Sequence, residues 1–213
     1  MNRYTARIAL DIITPRGISA GLGVLGIRWN PVPWEQCPLM DEEGLYAWVD
    51  GIGARSASGA MKLAADPLDR AVLYHGIGQG VLGVRGRLLH EHAWIGPDAG
   101  HAHGITMHAR RAGAVVGAVD AQETDLSWLP ELVHEDGAEI IRHWIEKCRQ
   151  NPKALLEASE RIAIRLGIHL GDTVAPVQSQ HAGAWNTNAP HDWAAYAAAA
   201  YLRRDNPADR TTG

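Results

Sequence analysis

Four side chains from well-separated parts of the chain have the types that phosphodiester hydrolysis requires: the phenols of Tyr46 and Tyr74, the guanidinium of Arg87 and the carboxylate of Glu160. Cleaving a phosphodiester needs a water made nucleophilic, a counter-charge for the anionic phosphoryl transition state, and help for the departing oxygen. A tyrosine hydroxyl orients or deprotonates water when a neighbouring cation lowers its pKa. An arginine lays a planar fork of donors against phosphate oxygens. A divalent cation on a glutamate serves as Lewis acid, and magnesium keeps most of its waters, so one carboxylate is sufficient in principle. Each residue also has a plain structural use. Tyrosine is common in half-buried strands, helix arginines are usually solvated, and Glu157 and Glu160 would suit a polar helix face with Arg161 and Arg165. One reaction would use all four at once.

The elements that must position them can be read from pattern. Residues 45–49, after the acidic stretch 41–43, read as a strand carrying Tyr46. Residues 71–74 read as a short buried strand that delivers Tyr74. The glycines from Gly76 to Gly83 then predict a tight turn where backbone comes close to another group. The segment that follows has helical spacing, with Val84, Leu88 and His92 on one face, and carries Arg85, Arg87, His90 and Glu91. Asn151-Pro152 predicts a helix start, Asn as cap and Pro in the first turn. That helix is expected through residue 166, with Gly167 ending it and Leu155, Ala158, Ile162 and Leu166 as its buried stripe. Elsewhere, 3–13 alternates as a strand ended by Pro15, 51–60 reads as a loop or insertion, and 61–65 as a short helix. A loop over 95–104 precedes two strands, 105–110 and 114–119, about a turn at 111–113. Helices follow at 130–150 and 194–202, and residues 203–213 are a polar tail.

At this point the chain resembles the GIY-YIG endonuclease family. Gly44-Leu45-Tyr46 looks like its first motif and Tyr74-His75-Gly76 like its second. Arg87-Leu88 resembles the arginine-bearing helix, and the segment from Ser159 through Glu160 to Ile164 resembles the late helix with a single metal-binding glutamate. Pro176-Val177-Gln178 resembles the closing segment, where the family usually has Asn. The resemblance implies an α/β fold, a small central mixed or antiparallel sheet flanked by helices, and an endonuclease acting on DNA with Mg²⁺ or Mn²⁺. It assigns Tyr46 the base role, Tyr74 a supporting position and Glu160 the metal. His90, beside the slot one helical turn after Arg87, joins the catalytic candidates, and Arg85, Gly76 and Gln178 are candidates for substrate contact. Two departures stand out: an insertion over 50–69 separates the tyrosines, and Glu91 fills the slot where an aromatic or His is expected. The implied division is an N-terminal extension at 1–40, a nuclease domain at 41–182, and a C-terminal arm and tail at 183–213.

Composition sets the bounds and the rivals. A chain of 213 residues with 46% hydrophobic and 21% charged residues suits a soluble globular domain. No apolar run approaches the roughly 20 residues of a membrane helix, and no leader pattern opens the chain. Two distant cysteines fit a reducing, cytoplasmic setting. The net charge of −4 argues against a protein that merely coats nucleic acid, though not against one with a locally basic cleft. A nuclease fold kept only for binding nucleic acid is the alternative. Two G-x-G-x-x-G matches, at Gly21–Gly26 and Gly78–Gly83, raise an NAD-binding oxidoreductase. The first, followed closely by Asn30-Pro31-Val32-Pro33, reads rather as a glycine-rich loop or bulged strand. A crowd of histidines at 90, 92, 101, 103 and 108 raises metal binding, with His101 and His103 on one side of an extended segment, against plain loop histidines. The oligomeric state is left open, a homodimer included.

Overall fold

The computed structural model describes residues 13–37, 40–52, 54–55, 61–100, 102–171 and 189–204. Their elements are α1 (Pro15–Val24), β1 (Ile27–Trp29), β2 (Val32–Pro33), β3 (Gly44–Asp50), β4 (Ala54–Arg55), β5 (Met61–Lys62), β6 (Val72–Gly78), α2 (Gly83–Trp94), α3 (Ala102–Arg110), β7 (Arg111–Gly117), β8 (Val119–Ala121), α4 (Leu129–Leu132), α5 (Glu135–Arg149), α6 (Pro152–Gly171) and α7 (Pro190–Arg204). The central sheet is antiparallel throughout, in the order β2–β7–β3–β6, and two small antiparallel pairs, β1–β8 and β4–β5, accompany it. The class is α/β with a small helix-flanked sheet, as expected. No described helix is long and apolar enough to cross a membrane.

Strand β3 is buried along its whole length, because helices cover both faces of the sheet. Alternation divides its side chains between two cores. Leu45, Ala47 and Val49 join Val115, Ile18 and Leu22 of α1, Ile141 and Ile145 of α5, Leu155, Ile162 and Leu166 of α6, and five alanines of α7. Tyr46 and Trp48 join Leu73 and Val116, Val84 and Leu88 of α2, and Met107 of α3. Helix α6 also packs against β3 and β6. The strand bearing Tyr46 therefore stands between the helix that carries Arg87 and the helix that carries Glu160.

Asn151 caps α6 as its sequence predicts, its Oδ1 accepting from the amides of Lys153 (3.1 Å) and Ala154 (3.3 Å). The helix runs on through Gly167 to Gly171. Other expectations are corrected. Gly21–Gly26 is neither loop nor bulged strand: Gly21 and Gly23 lie in α1, which Thr14 caps through the amide of Gly17 (3.0 Å). A Cβ at Gly21 would stand 2.6 Å from Leu166 Cδ1, so this glycine admits α6, while Gly26 at φ +74° turns the chain after the helix. Residues 105–110 form helix α3 rather than a strand, and 111–113 begin β7 rather than turning. Burial of Met107 with Ile105 left exposed fits a helix whose one face meets the sheet. The loop expected over 95–104 gives way to α3 from Ala102. Met61–Lys62 pairs with Ala54–Arg55 in place of the predicted short helix. The helix expected over 130–150 is broken at Val133 and His134 into α4 and α5. The glycines at 76 and 78 belong to β6.

The described parts of the outer segments pack into the fold. Residues 32–33 supply the strand beside β7, and the alanine face of α7 lies within the first core. The predicted strand over 3–13 lies, but for its last residue, outside the described residues, as do Gln178 with its segment, and the tail beyond residue 204.

His75, on β6 beside Tyr74, is 1% exposed, and burial lowers its pKa to about 4 from an ordinary 6.5. Between those values the unfolded chain binds a proton that the folded chain does not, so stability falls as pH falls through this window. Measured by urea unfolding, the stability of a His75→Asn variant relative to the parent should rise as pH falls through this window; a difference that stays constant with pH would remove His75 as a source.

Candidate active site

The sheet register sets two tyrosines side by side. Tyr46 lies opposite Gly76 on β6 and Val116 on β7, and Trp48 lies opposite Tyr74. The rings of Tyr46 and Tyr74 stand 6.2 Å apart, tilted by 38°. A Cβ at position 76 would come within 2.6 Å of Tyr46 Oη. Gly76 is thus the bed on which the phenol lies, a cross-strand use of glycine in place of the predicted turn. Gly76→Ala should displace that ring and destabilise the protein by roughly 1–3 kcal/mol, readable by denaturant unfolding, whereas Gly23→Ala, with nothing within 4 Å, should be neutral or stabilising.

Helix α2 reaches the same face. Its first free amides are already used: Val84 N donates to the carbonyl of Glu42 (3.1 Å) and Arg85 N to that of Met40 (2.9 Å). Two turns on, Glu91 is fully buried among the side chains of β3. Tyr46 Oη donates to Glu91 Oε1, and Trp48 Nε1 donates to Oε2 at 2.8 Å. Arg87 Nε lies 3.2 Å from Glu91 Oε1 and 3.4 Å from Tyr46 Oη. One carboxylate therefore gathers a phenol, an indole and a guanidinium, and its two oxygens are satisfied. The Arg87 side chain stays 42% exposed, so its charge remains available to solvent or a ligand.

Glu160 shares this electrostatic neighbourhood. Burial raises its pKa to about 7; Arg87 and Arg161 pull it down, while Glu157 and Glu91 push it up. The pKa of Tyr74 is raised by burial and by Glu91, with Arg87 opposing and Glu160 adding. That of Tyr46 is raised strongly, first by burial, then by Glu91 and Tyr74. Tyr46, Tyr74 and Arg87 thus meet in one cluster, and Glu160 lies near enough to feel the charges of Arg87 and Glu91. The environment of Tyr46 runs against the base role, however: burial and Glu91 keep its proton on, which makes the phenol a hydrogen-bond donor. Among the described residues no three or more His, Cys, Asp or Glu side chains converge as a metal cage. A single carboxylate whose proton is held near neutrality by burial, against the pull of Arg87 and Arg161, could still serve a magnesium ion that keeps most of its own waters.

The remaining candidates are placed as follows. His90 is exposed and stands outside the hydrogen-bonded cluster. Arg85 pairs with Asp41 at 2.6 Å. His92, expected on the buried stripe, is exposed, and Glu91 takes its place. Of the other histidines, His108 is exposed, His101 lies outside the described residues, and the backbone of His103 is helical, in α3, rather than extended. The loop at Gly78–Gly83 does join a strand to a helix, but in an antiparallel sheet. Its helix N-terminus is covered, since a Cβ at Gly83 would stand 2.2 Å from the carbonyl oxygen of Glu42 and 2.3 Å from that of Asp41. Amides that already serve backbone carbonyls are not free to cradle a pyrophosphate. Glu91 and Trp48 are what residue types alone missed; the clue was spacing, since 84, 88 and 91 form one helical stripe. Comparison with protein-family models, curated proteins and solved structures returns no match to this chain.

Proposed function

We propose that the chain is a metal-dependent endonuclease that hydrolyses DNA phosphodiester bonds in the cytoplasm, built on the GIY-YIG plan. The observation that carries the reading is the convergence of Tyr46, Tyr74, Arg87 and Glu160, from four separate elements, into one electrostatically coupled cluster. A small antiparallel sheet flanked by helices is also the architecture that the resemblance implies. In this reading Arg87 lays its exposed guanidinium against the non-bridging oxygens of the scissile phosphate. Tyr74, less enclosed than Tyr46 and kept protonated by burial and Glu91, orients the attacking water through its hydroxyl. Tyr46 acts as a fixed donor, and Glu160 holds Mg²⁺ or Mn²⁺, whose contribution is Lewis acidity at the phosphate.

A catalytically weak nucleic-acid-binding module of the same fold is favoured by one feature: Glu91 engages both Tyr46 and Arg87. Plasmid DNA incubated with the protein separates the two. Nicked or linear product that appears with Mg²⁺ or Mn²⁺ and disappears with a chelator supports the nuclease. Retarded but intact DNA under every condition supports the binding module.

A further inference from the structure

A second cationic group lies beside this cluster. Arg111 opens β7 opposite Asp50, and its guanidinium sits over the Trp48 ring, 5.3 Å from the centroid. Its Nη1 is 3.1 Å from Nδ1 of His92 on α2; arginine offers donors only, so the imidazole nitrogen accepts. The chain neighbour Arg110 is bound to buried Asp50, Arg85 to Asp41 and Arg87 to Glu91. Among the described residues, by contrast, no carboxylate lies within ion-pair range of Arg111. Burial lowers its pKa, a cost that nothing acidic offsets.

Trp48 joins the two groups. Its ring face carries Arg111 while its Nε1 holds Glu91, which in turn holds Arg87. An aromatic face and an imidazole have thus oriented a partly exposed guanidinium and left most of its five donors open. Ordering such a side chain in advance lowers the entropy lost when an anion arrives.

We propose that Arg111 and His92 form a second phosphate-contact subsite, which holds a backbone phosphate of the DNA strand flanking the one addressed by Arg87. The inference rests on the nuclease reading above and adds to it how the strand is aligned: two guanidiniums linked through Trp48 fix successive phosphates.

The test is fluorescence anisotropy with a labelled DNA duplex in chelator, over a series of salt concentrations, for the parent, Arg87→Gln, Arg111→Gln and Arg111→Lys. Arg111→Gln should weaken binding about tenfold, as loss of a charged hydrogen bond does, and reduce the salt slope by about one. Arg111→Lys should restore the slope. In cleavage assays Arg111→Gln should raise KM more than it lowers kcat. Unchanged affinity and slope in Arg111→Gln, with Arg87→Gln weakened, overturns the subsite and leaves the nuclease reading standing. A lower Tm with an unchanged slope also overturns it, since Arg111 would then only brace Trp48. If the parent binds no DNA, the nuclease reading falls, and inorganic pyrophosphate decides the subsite: a rise in Tm that Arg111→Gln abolishes retains a phosphate site there, and no rise removes it.

Discussion

Glu160→Gln should lower metal-dependent DNA cleavage roughly a thousandfold while the protein stays folded, the loss corresponding to several kcal/mol of Lewis-acid stabilisation. The same substitution has a second consequence in the protein without metal. The carboxyl of Glu160 has its pKa raised by burial to about 7, from an ordinary 4.5. Between these values the folded chain binds a proton that the unfolded chain has released, so stability falls as pH rises through the window. Glutamine cannot ionise, so Glu160→Gln should be more stable than the parent above about pH 7 and close to it below about pH 5. Added Mg²⁺ should stabilise the parent most at the alkaline end, where the carboxylate is bare, and the variant little. Unfolding curves across pH, with and without Mg²⁺, read both effects. Full cleavage by Glu160→Gln would remove this residue from the site. His75 titrates with the opposite sign over an overlapping range, so the parent's own profile will look flatter than either variant's.

Glu91→Ala should cost about 2–5 kcal/mol of stability. It strips two buried donors, Tyr46 Oη and Trp48 Nε1, of their acceptor, and an orphaned buried donor costs about 1–3 kcal/mol. The loss of the Arg87 contact adds less, because that guanidinium is partly solvated. Glu91→Gln keeps the shape and one acceptor, so it should retain most of the stability and give Arg87 back its full charge. DNA affinity of Glu91→Gln should therefore rise severalfold. Denaturant unfolding and anisotropy check the two halves separately. A fall in affinity with an unaltered fold would mean that Glu91 prepares Arg87 for the phosphate rather than competing for it.

How much of this was legible beforehand depended on whether local chemistry or distant partners decided each position. The cap at Asn151-Pro152 acts through amides two and three residues on, so sequence alone located it. The strand about Tyr46 was readable because its apolar run is short and bounded. Residues 105–110 misled, since β-branched Ile105 and Thr106 favour a strand, yet packing of Met107 under the sheet selected a helix. Glu91 was noticed only as a departure from pattern. A glutamate in a helix is ordinarily solvated, and the donors that justify its burial lie 43 and 45 positions away in sequence. Gly76 looked like a turn because nothing local says that a tyrosine from another strand will lie across it.

The covered start of α2 has a mechanical consequence. Its leading amides are tied to the carbonyls of Met40 and Glu42, on the segment that runs directly into β3, and two turns later Glu91 fastens the helix to Tyr46 and Trp48 of that same strand. Arg87 lies between these two pins, so its backbone is a clamped beam with no lever arm. Whatever shape of polyanion arrives, accommodation falls to the rotamers of the arginine itself, and the distance from its Cα to the tyrosine strand stays constant from one ligand to the next.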